Sequence, residues 1–256
     1  MNWKLAVFIV FVIIFSLSLF ILQPFTNIDF AKLSLAQFGP TLAYILTIIL
    51  FKDLFISIKI KMSKIIIVKT LLSIIVPLII NLIIYCIGKL LKIELQINTK
   101  FQYIILNYGI WLIIGAIGEE IGWRSFLQPM LDRKYPIIIS SLIVGLIWGF
   151  WHINHFINGP IFVLEFLLFT ISYSIVVMFL LKNTEYNIII SSMFHASLNI
   201  SYKIFLENSY GNTGLFLIRG IIWLIIAVII VLSERKYYLQ KQKTRGNATV
   251  AVISKQ

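Results

Sequence analysis

The sequence predicts an all-α protein, a polytopic transmembrane helix bundle of about eight spans. Three observations carry that reading. Apolar residues fill 60% of the 256 positions and charged residues only 12%, whereas a soluble domain is about 25% charged and roughly 45–50% apolar. Mean hydropathy is +0.97, and the apolar runs are spread from end to end. The basic residues sit mostly between those runs and in the C-terminal tail, where topology determinants and contacts with anionic lipid headgroups belong.

Crossing the hydrocarbon core takes about 20 apolar residues as helix. The candidate segments are residues 5–22, 36–51, 65–88, 103–119, 136–156, 161–181, 187–204 and 214–232, the second of them short. The first resembles a signal peptide at a glance. It is long for one, and Gln23-Pro24-Phe25-Thr26 offers no small-residue cleavage site, so it reads as a retained helix. Residues 52–64 alternate lysine with Ile, Leu and Met, which suits an amphipathic helix lying in the interface. Residues 124–135 form a polar stretch between the fourth and fifth spans. The tail after Ser233 is polar and basic, and disorder is expected beyond about residue 244.

Lysine and arginine positions give the orientation. With eight spans and a cytoplasmic N-terminus, 15 basic residues fall inside, Arg124 among them, and 6 fall outside, Arg219 among them. Both termini are therefore expected in the cytoplasm of a multi-pass cell-membrane protein. The net charge of +12 belongs to this lipid-facing pattern, and nucleic acid is not an expected partner. Cys86 is the single cysteine. An intrachain disulfide and a cysteine metal cluster are excluded, and Cys86 reads as a small core residue.

Ionisable groups at membrane depth are costly, by about 2.5–3.5 kcal/mol on insertion scales, and are functional candidates by default. Three short constellations supply most of them. In Gly115-Ala116-Ile117-Gly118-Glu119-Glu120-Ile121-Gly122-Trp123-Arg124, Glu120 and Arg124 are four apart with the acid first, the favourable order for an ion pair. Glu119 is turned about 100° away and left available for acid–base work. Gly115, Gly118 and Gly122 let a neighbouring helix come close. The plainer reading of both acids is pairing at the membrane surface.

In Trp148-Gly149-Phe150-Trp151-His152-Ile153-Asn154-His155, Trp148, His152 and His155 share one helix face. Imidazole can act there as base, acid or metal ligand, or Trp and His can simply anchor the interface. In His195-Ala196-Ser197-Leu198-Asn199, His195 and Asn199 point the same way, and the Asn amide could stabilise an oxyanion. Glu165 has no evident role. One carboxylate and two imidazoles converging in a bundle cavity supply either a metal site or a water-activating site. If a metal is used, Glu119, His152 and His195 give the three protein ligands that catalytic Zn2+ takes. A His-Glu-x-x-His helix and a Gly-x-Ser-x-Gly elbow are both absent, and Asp29, Asp53 and Asp132 fall near span ends with no buried pair.

At these residues the chain resembles the CAAX protease and bacteriocin-processing family, also called the Abi family, which is similar to the type II CAAX prenyl endopeptidases. The family pattern is Glu-Glu-x-x-x-Arg, then aromatic-x-x-x-His, then His-x-x-x-Asn or a small alternative. Here it reads Glu119-Glu120 with Arg124, Trp148 with His152, and His195 with Asn199. Trp148 stands where phenylalanine is usual. The resemblance covers roughly residues 101–205. It implies a catalytic core there, preceded by N-terminal spans and an interfacial loop at 1–100. A last span at 206–233 and a basic cytoplasmic tail at 234–256 follow, in one integral domain.

By resemblance, Glu119 and His152 would activate the attacking water and His195 and Asn199 would stabilise the oxyanion. Glu120 and Arg124 would orient the site, with Trp148 packed behind His152. The family is often labelled metalloprotease. A metal-bound and a metal-free water need the same residues, and the sequence does not choose between them. The expected function is an intramembrane endopeptidase acting on membrane-associated or hydrophobic peptides, in peptide maturation or bacteriocin self-immunity. An Ile-, Lys- and Asn-rich composition suggests a bacterial substrate over a prenylated one.

Two other classes compete. A non-catalytic immunity or scaffold protein would keep the fold but not need the full motif set. An ion-coupled transporter would also bury Glu and His, but here the polar groups crowd into 119–199 and the first half has only Lys69.

Overall fold

A bilayer core offers the backbone no water, so a crossing segment must satisfy its own N–H and C=O groups, as a helix does. The computed structural model describes residues 3–152, 157–209 and 212–241. Among these residues there are helices and turns and no strand. The principal helices are α1 (Trp3–Leu22), α2 (Gly39–Leu50), α3 (Lys64–Leu90) and α4 (Phe101–Asp132). They continue as α5 (Ile137–Trp151), α6 (Pro160–Leu181), α7 (Ile188–Phe205), α8 (Thr213–Ser233) and a short α9 (Arg235–Leu239). Each apolar run of the sequence falls on one of the first eight. Among the described residues, α1, α3, α4, α6 and α8 are long and apolar enough to cross a membrane, while α2 and α5 are shorter.

Local chemistry sets the helix ends. Ser63, Asn187 and Asn212 accept backbone N–H bonds at the starts of α3, α7 and α8, as N-cap side chains do. Gly159, at φ +94°, turns the chain into α6, whose first residue is Pro160. Between α6 and α7, Asn183, Glu185 and Tyr186 all take positive φ, a costly conformation for residues with a Cβ. Tyr186 Oη secures that turn by donating to Asp132 Oδ2 at 2.7 Å. Burial, with Asp132 beside it, pushes the Tyr186 phenol up, so it stays an O–H donor.

The packing order is set by pairs. α1 lies on α2, α2 on α4, α4 on α7, α7 on α3, and α6 is held between α5 and α8. α6 is the most buried of the spans. By contrast, α1 turns Val10, Ile13, Ile14 and Leu17 outward, and α3 and α8 do the same with Ile and Leu, a face suited to lipid. Below α8, Tyr237 and Tyr238 donate to the carbonyls of Met178 and Ile175 at 2.9 and 2.7 Å, tying α9 to the end of α6.

Four expectations need correction. Residues 55–63 are not helical; only Lys52–Leu54 makes a helical turn. Their apolar residues recur every second position, the period of an extended chain rather than a helix. The Lys59 carbonyl accepts from Ile188 N and the Lys61 carbonyl from Asn187 Nδ2. Second, the polar stretch after residue 124 does not lie between two spans: α4 continues through it to Asp132, with π-helical turns at Ile105–Gly109 and Trp123–Leu127. Arg124, Gln128 and Asp132 are all buried, with Gln128 Nε2 bonded to Asp132 Oδ1 at 3.0 Å. Third, Arg124 and Arg219 are both buried and paired with acids. One basic residue therefore leaves each side of the orientation count. Fourth, Cys86 is exposed on the outer face of α3. The tail beyond about residue 244 lies outside the described residues, as does His155.

Close helix approach depends on glycine, and at Gly122 and Gly145 the neighbour is backbone of another helix. A Cβ on Gly122 would stand 2.7 Å from the Pro40 backbone, and one on Gly145 would stand 2.6 Å from Ile171 Cα. Gly122→Ala and Gly145→Ala are each expected to destabilise the bundle by about 1–3 kcal/mol. Gly109→Ala, where the nearest atom is 3.9 Å away, should leave thermal unfolding in detergent unchanged. Equal midpoints for all three variants would contradict this packing.

Candidate active site

The glycine face of α4 is where the site begins. Gly115, Gly118 and Gly122 let the turn at Leu35–Phe38 and the start of α2 lie directly on α4. Thr41 Oγ1 donates to the Gly118 carbonyl at 2.6 Å. The same contact delivers Gln37, whose Nε2 donates to Glu119 Oε1 at 2.8 Å. Trp148 Nε1, from α5, donates to Glu119 Oε2 at 2.8 Å. Glu119 is 1% exposed, so these two N–H groups replace the water that a carboxylate otherwise requires.

Trp148 is also the hub for both histidines. Its ring meets His152 at 5.3 Å and His195 at 5.4 Å, edge to face in each case. α5 ends at Trp151, and His152 is the first residue beyond it. His152 Nδ1 lies 2.9 Å from the Trp148 carbonyl oxygen. A carbonyl only accepts, so Nδ1 carries the hydrogen and Nε2 the lone pair. His195, on α7, has Nδ1 at 3.1 Å from Glu120 Oε1. That contact leaves Nε2 as the other reactive nitrogen.

Behind His195 stands a buried charged layer. Glu120 faces Arg124 at 3.4 Å, the four-residue pairing that the sequence implied, and Tyr173 Oη donates to Glu120 Oε1 at 3.3 Å. Arg124 is fully buried, and its guanidinium lies over the Trp148 and Tyr173 rings at 5.9 and 5.5 Å.

Glu119, Trp148, His152, His195 and Asn199 all line one cavity of about 220 Å³, room for several waters at about 30 Å³ each. Glu120 and Arg124 do not line it; Glu120 meets His195 Nδ1 from behind, and Arg124 meets Glu120. Four further residues at or beside the cavity were not singled out from the sequence as site residues: Gln37, Asn81, Tyr173 and Arg219, the last paired with Glu165. Asn81 and Gln37 did leave a signal, a lone amide side chain inside an apolar run. The Glu165–Arg219 pairing left none, since 54 residues separate the two.

The metal reading can be tested on the donor set. Both histidines show the outer bonds that metal-ligating imidazoles favour, Nδ1 to a carbonyl and Nδ1 to a carboxylate. Glu119, however, has both oxygens engaged by N–H donors. Among the described residues no three His, Cys, Asp or Glu side chains gather closely enough to hold one ion. The arrangement does not fit a three-ligand metal centre.

Comparison with known proteins bears on the same region. A family model described as type II CAAX prenyl endopeptidase Rce1-like matches residues 101–201. Lysostaphin resistance protein A of Staphylococcus haemolyticus is 27% identical over 250 residues, covering 90% of this chain and 67% of that protein. The protein of the same name from Staphylococcus aureus strain Newman is 29% identical over 237 residues, covering 89% of this chain and 56% of that protein. The chain thus spans between about half and two thirds of the length of these relatives.

Proposed function

We propose that this chain, whose residues 101–201 match the type II CAAX prenyl endopeptidase Rce1-like family model, is a membrane-embedded endopeptidase of the CAAX protease and bacteriocin-processing family. Its substrate is a membrane-associated or hydrophobic peptide. The observation that carries the reading is the single cavity lined by Glu119, His152, His195 and Asn199. A carboxylate, an imidazole lone pair, an amide and a second imidazole around one cavity suit water attack on a carbonyl.

In this scheme a water in the cavity gives a proton to Glu119 or His152 Nε2 as its oxygen attacks the scissile carbonyl carbon. The oxyanion that forms accepts from the Asn199 amide. When both ring nitrogens of His195 carry hydrogen, its Nε2–H donates as well, and Glu120 balances the charge. Collapse of the intermediate breaks the C–N bond, and the proton taken from water passes to the leaving amine. Gln37 and Trp148 hold Glu119 in place throughout. The asymmetry of basic residues supports both termini in the cytoplasm.

Detergent-solubilised protein and a quenched-peptide library test the scheme. Cleavage by wild type, lost in His152→Ala and His195→Ala, is expected, and retention of the rate after chelation would agree with the donor set. Trp148→Phe, which keeps the ring but loses the N–H to Glu119, should lower the rate by about tenfold with little change in folding.

A second reading rests on the names of the relatives, which are resistance proteins. A resistance role could be met without catalysis, by a membrane scaffold. If His152→Ala and His195→Ala leave both cleavage and a resistance phenotype unchanged, the scaffold reading replaces the peptidase.

A further inference from the structure

The same cavity is lined by polar residues that the proposed chemistry does not use. Asn81 lies within α3, where an amide in an apolar span is expected to find partners. Its Nδ2 donates to Ser201 Oγ at 2.7 Å and to the Leu198 carbonyl at 3.4 Å. The Leu198 carbonyl can only accept, so the amide nitrogen must be the atom on that side, and the orientation of the group is fixed. Oδ1 is then on the other side and has no partner, although Asn81 is 1% exposed and lines the cavity. A buried carbonyl oxygen without a donor is costly, and its retention calls for an explanation such as a ligand.

Arg219, on α8, lines the cavity too. Glu165, fully buried on α6, accepts from its Nε at 3.0 Å and its Nη2 at 3.3 Å. The Phe169 and Phe216 rings flank the guanidinium at 4.5 and 4.6 Å. A guanidinium has five N–H donors, and Glu165 takes two of them. Arg219 lines the cavity and its Nη1 is not among the buried unpaired atoms, so donors remain for a ligand there. Glu165 already cancels the charge. A second carboxylate here would face Glu165 as a like charge, so the pair favours a neutral acceptor.

One acceptor and one donor are the complement of a peptide backbone, which offers an N–H and a C=O at each residue. We propose that Asn81 and Arg219 form a main-chain subsite for an extended, uncharged stretch of substrate. Asn81 Oδ1 accepts a substrate N–H, Arg219 donates to a substrate carbonyl, and Phe162, Phe166 and Phe216 wall the space for an apolar side chain. This subsite deepens the peptidase reading and rests on it for the ligand's being a peptide, but its binding can be measured without turnover.

The test uses the full chain carrying Glu119→Gln, solubilised in detergent, and a labelled apolar peptide capped at both ends. Each backbone amide of that peptide is N-methylated in turn, and binding is read by fluorescence anisotropy. Methylation at one position is expected to weaken binding by about tenfold, and by less than about twofold once Asn81→Leu is added. Asn81→Leu by itself should weaken binding by the same factor without lowering the unfolding temperature. It removes an unpaired atom, and Ser201 Oγ keeps its bond to the Leu198 carbonyl at 3.0 Å. The double variant Glu165→Gln/Arg219→Gln removes both charges together and should also weaken the capped peptide. The proposal is overturned if no methylation depends on Asn81, if only acidic peptides bind, or if none binds. Binding with the expected pattern but no cleavage after Glu119 is restored would retire the peptidase reading and leave the subsite standing.

Discussion

Glu119→Gln is expected to lower peptide cleavage by roughly 100- to 10,000-fold, the range typical of losing a general base, while the bundle stays folded. Glutamine has the same shape and keeps one acceptor oxygen for the Trp148 or Gln37 N–H. The Gln37 amide can rotate to present its own oxygen to the new NH2 group. What disappears is the proton acceptor facing the cavity. Initial rates and thermal unfolding, measured on one preparation, separate the two effects. A variant that unfolds like wild type and cleaves at the wild-type rate would remove Glu119 from the chemistry.

The second large effect falls on stability. Glu120→Ala is expected to cost about 3–5 kcal/mol, because it strands a buried charge. Arg124 is fully buried, and none of its three guanidinium nitrogens has a hydrogen-bond partner. It is held by the Glu120 carboxylate at 3.4 Å and by the faces of two aromatic rings. The same substitution releases His195 Nδ1 and Tyr173 Oη. Adding Arg124→Met removes the stranded charge and should recover much of the stability, whereas activity should stay low because His195 has lost its carboxylate. Thermal unfolding of the two single variants and the double variant in detergent gives the coupling. Additive losses would mean that the pair contributes nothing as a pair.

These expectations draw on different layers of legibility. Geometry within one helix could be read from spacing alone. Glu120–Arg124, the glycine face at 115, 118 and 122, and the shared side of His195 and Asn199 all follow from 3.6 residues per turn. Helical spans were readable for the same reason, since length and apolarity decide them in a bilayer. Contacts between distant segments were not. Gln37 reaches Glu119 across 82 residues and Arg219 reaches Glu165 across 54, and no local spacing encodes either.

The misreadings came from composition standing in for periodicity. Residues 52–64 look amphipathic by content, but their period of two suits an extended chain. The stretch from Arg124 to Asp132 looks like a polar connection by content, but its polar side chains are turned inward, packed against α5 and α7. Trp148 was expected to pack behind His152, and it does contact that ring, but its N–H bond to Glu119 could not be told from the residue type. The departure from phenylalanine at this position therefore adds a donor to the carboxylate and does more than conserve an aromatic shape.

One measurement bears most directly on whether this cavity hydrolyses peptide bonds. A cleaved peptide from the library would be incubated with wild-type protein in oxygen-18-labelled water, beside Glu119→Gln, and the products weighed by mass spectrometry. The expected result is one labelled oxygen in each new C-terminal carboxylate from wild type, and product at or below about one hundredth of that rate from the variant. Labelled product formed equally fast by Glu119→Gln, or no product from either protein, would contradict a water-activating site built on Glu119.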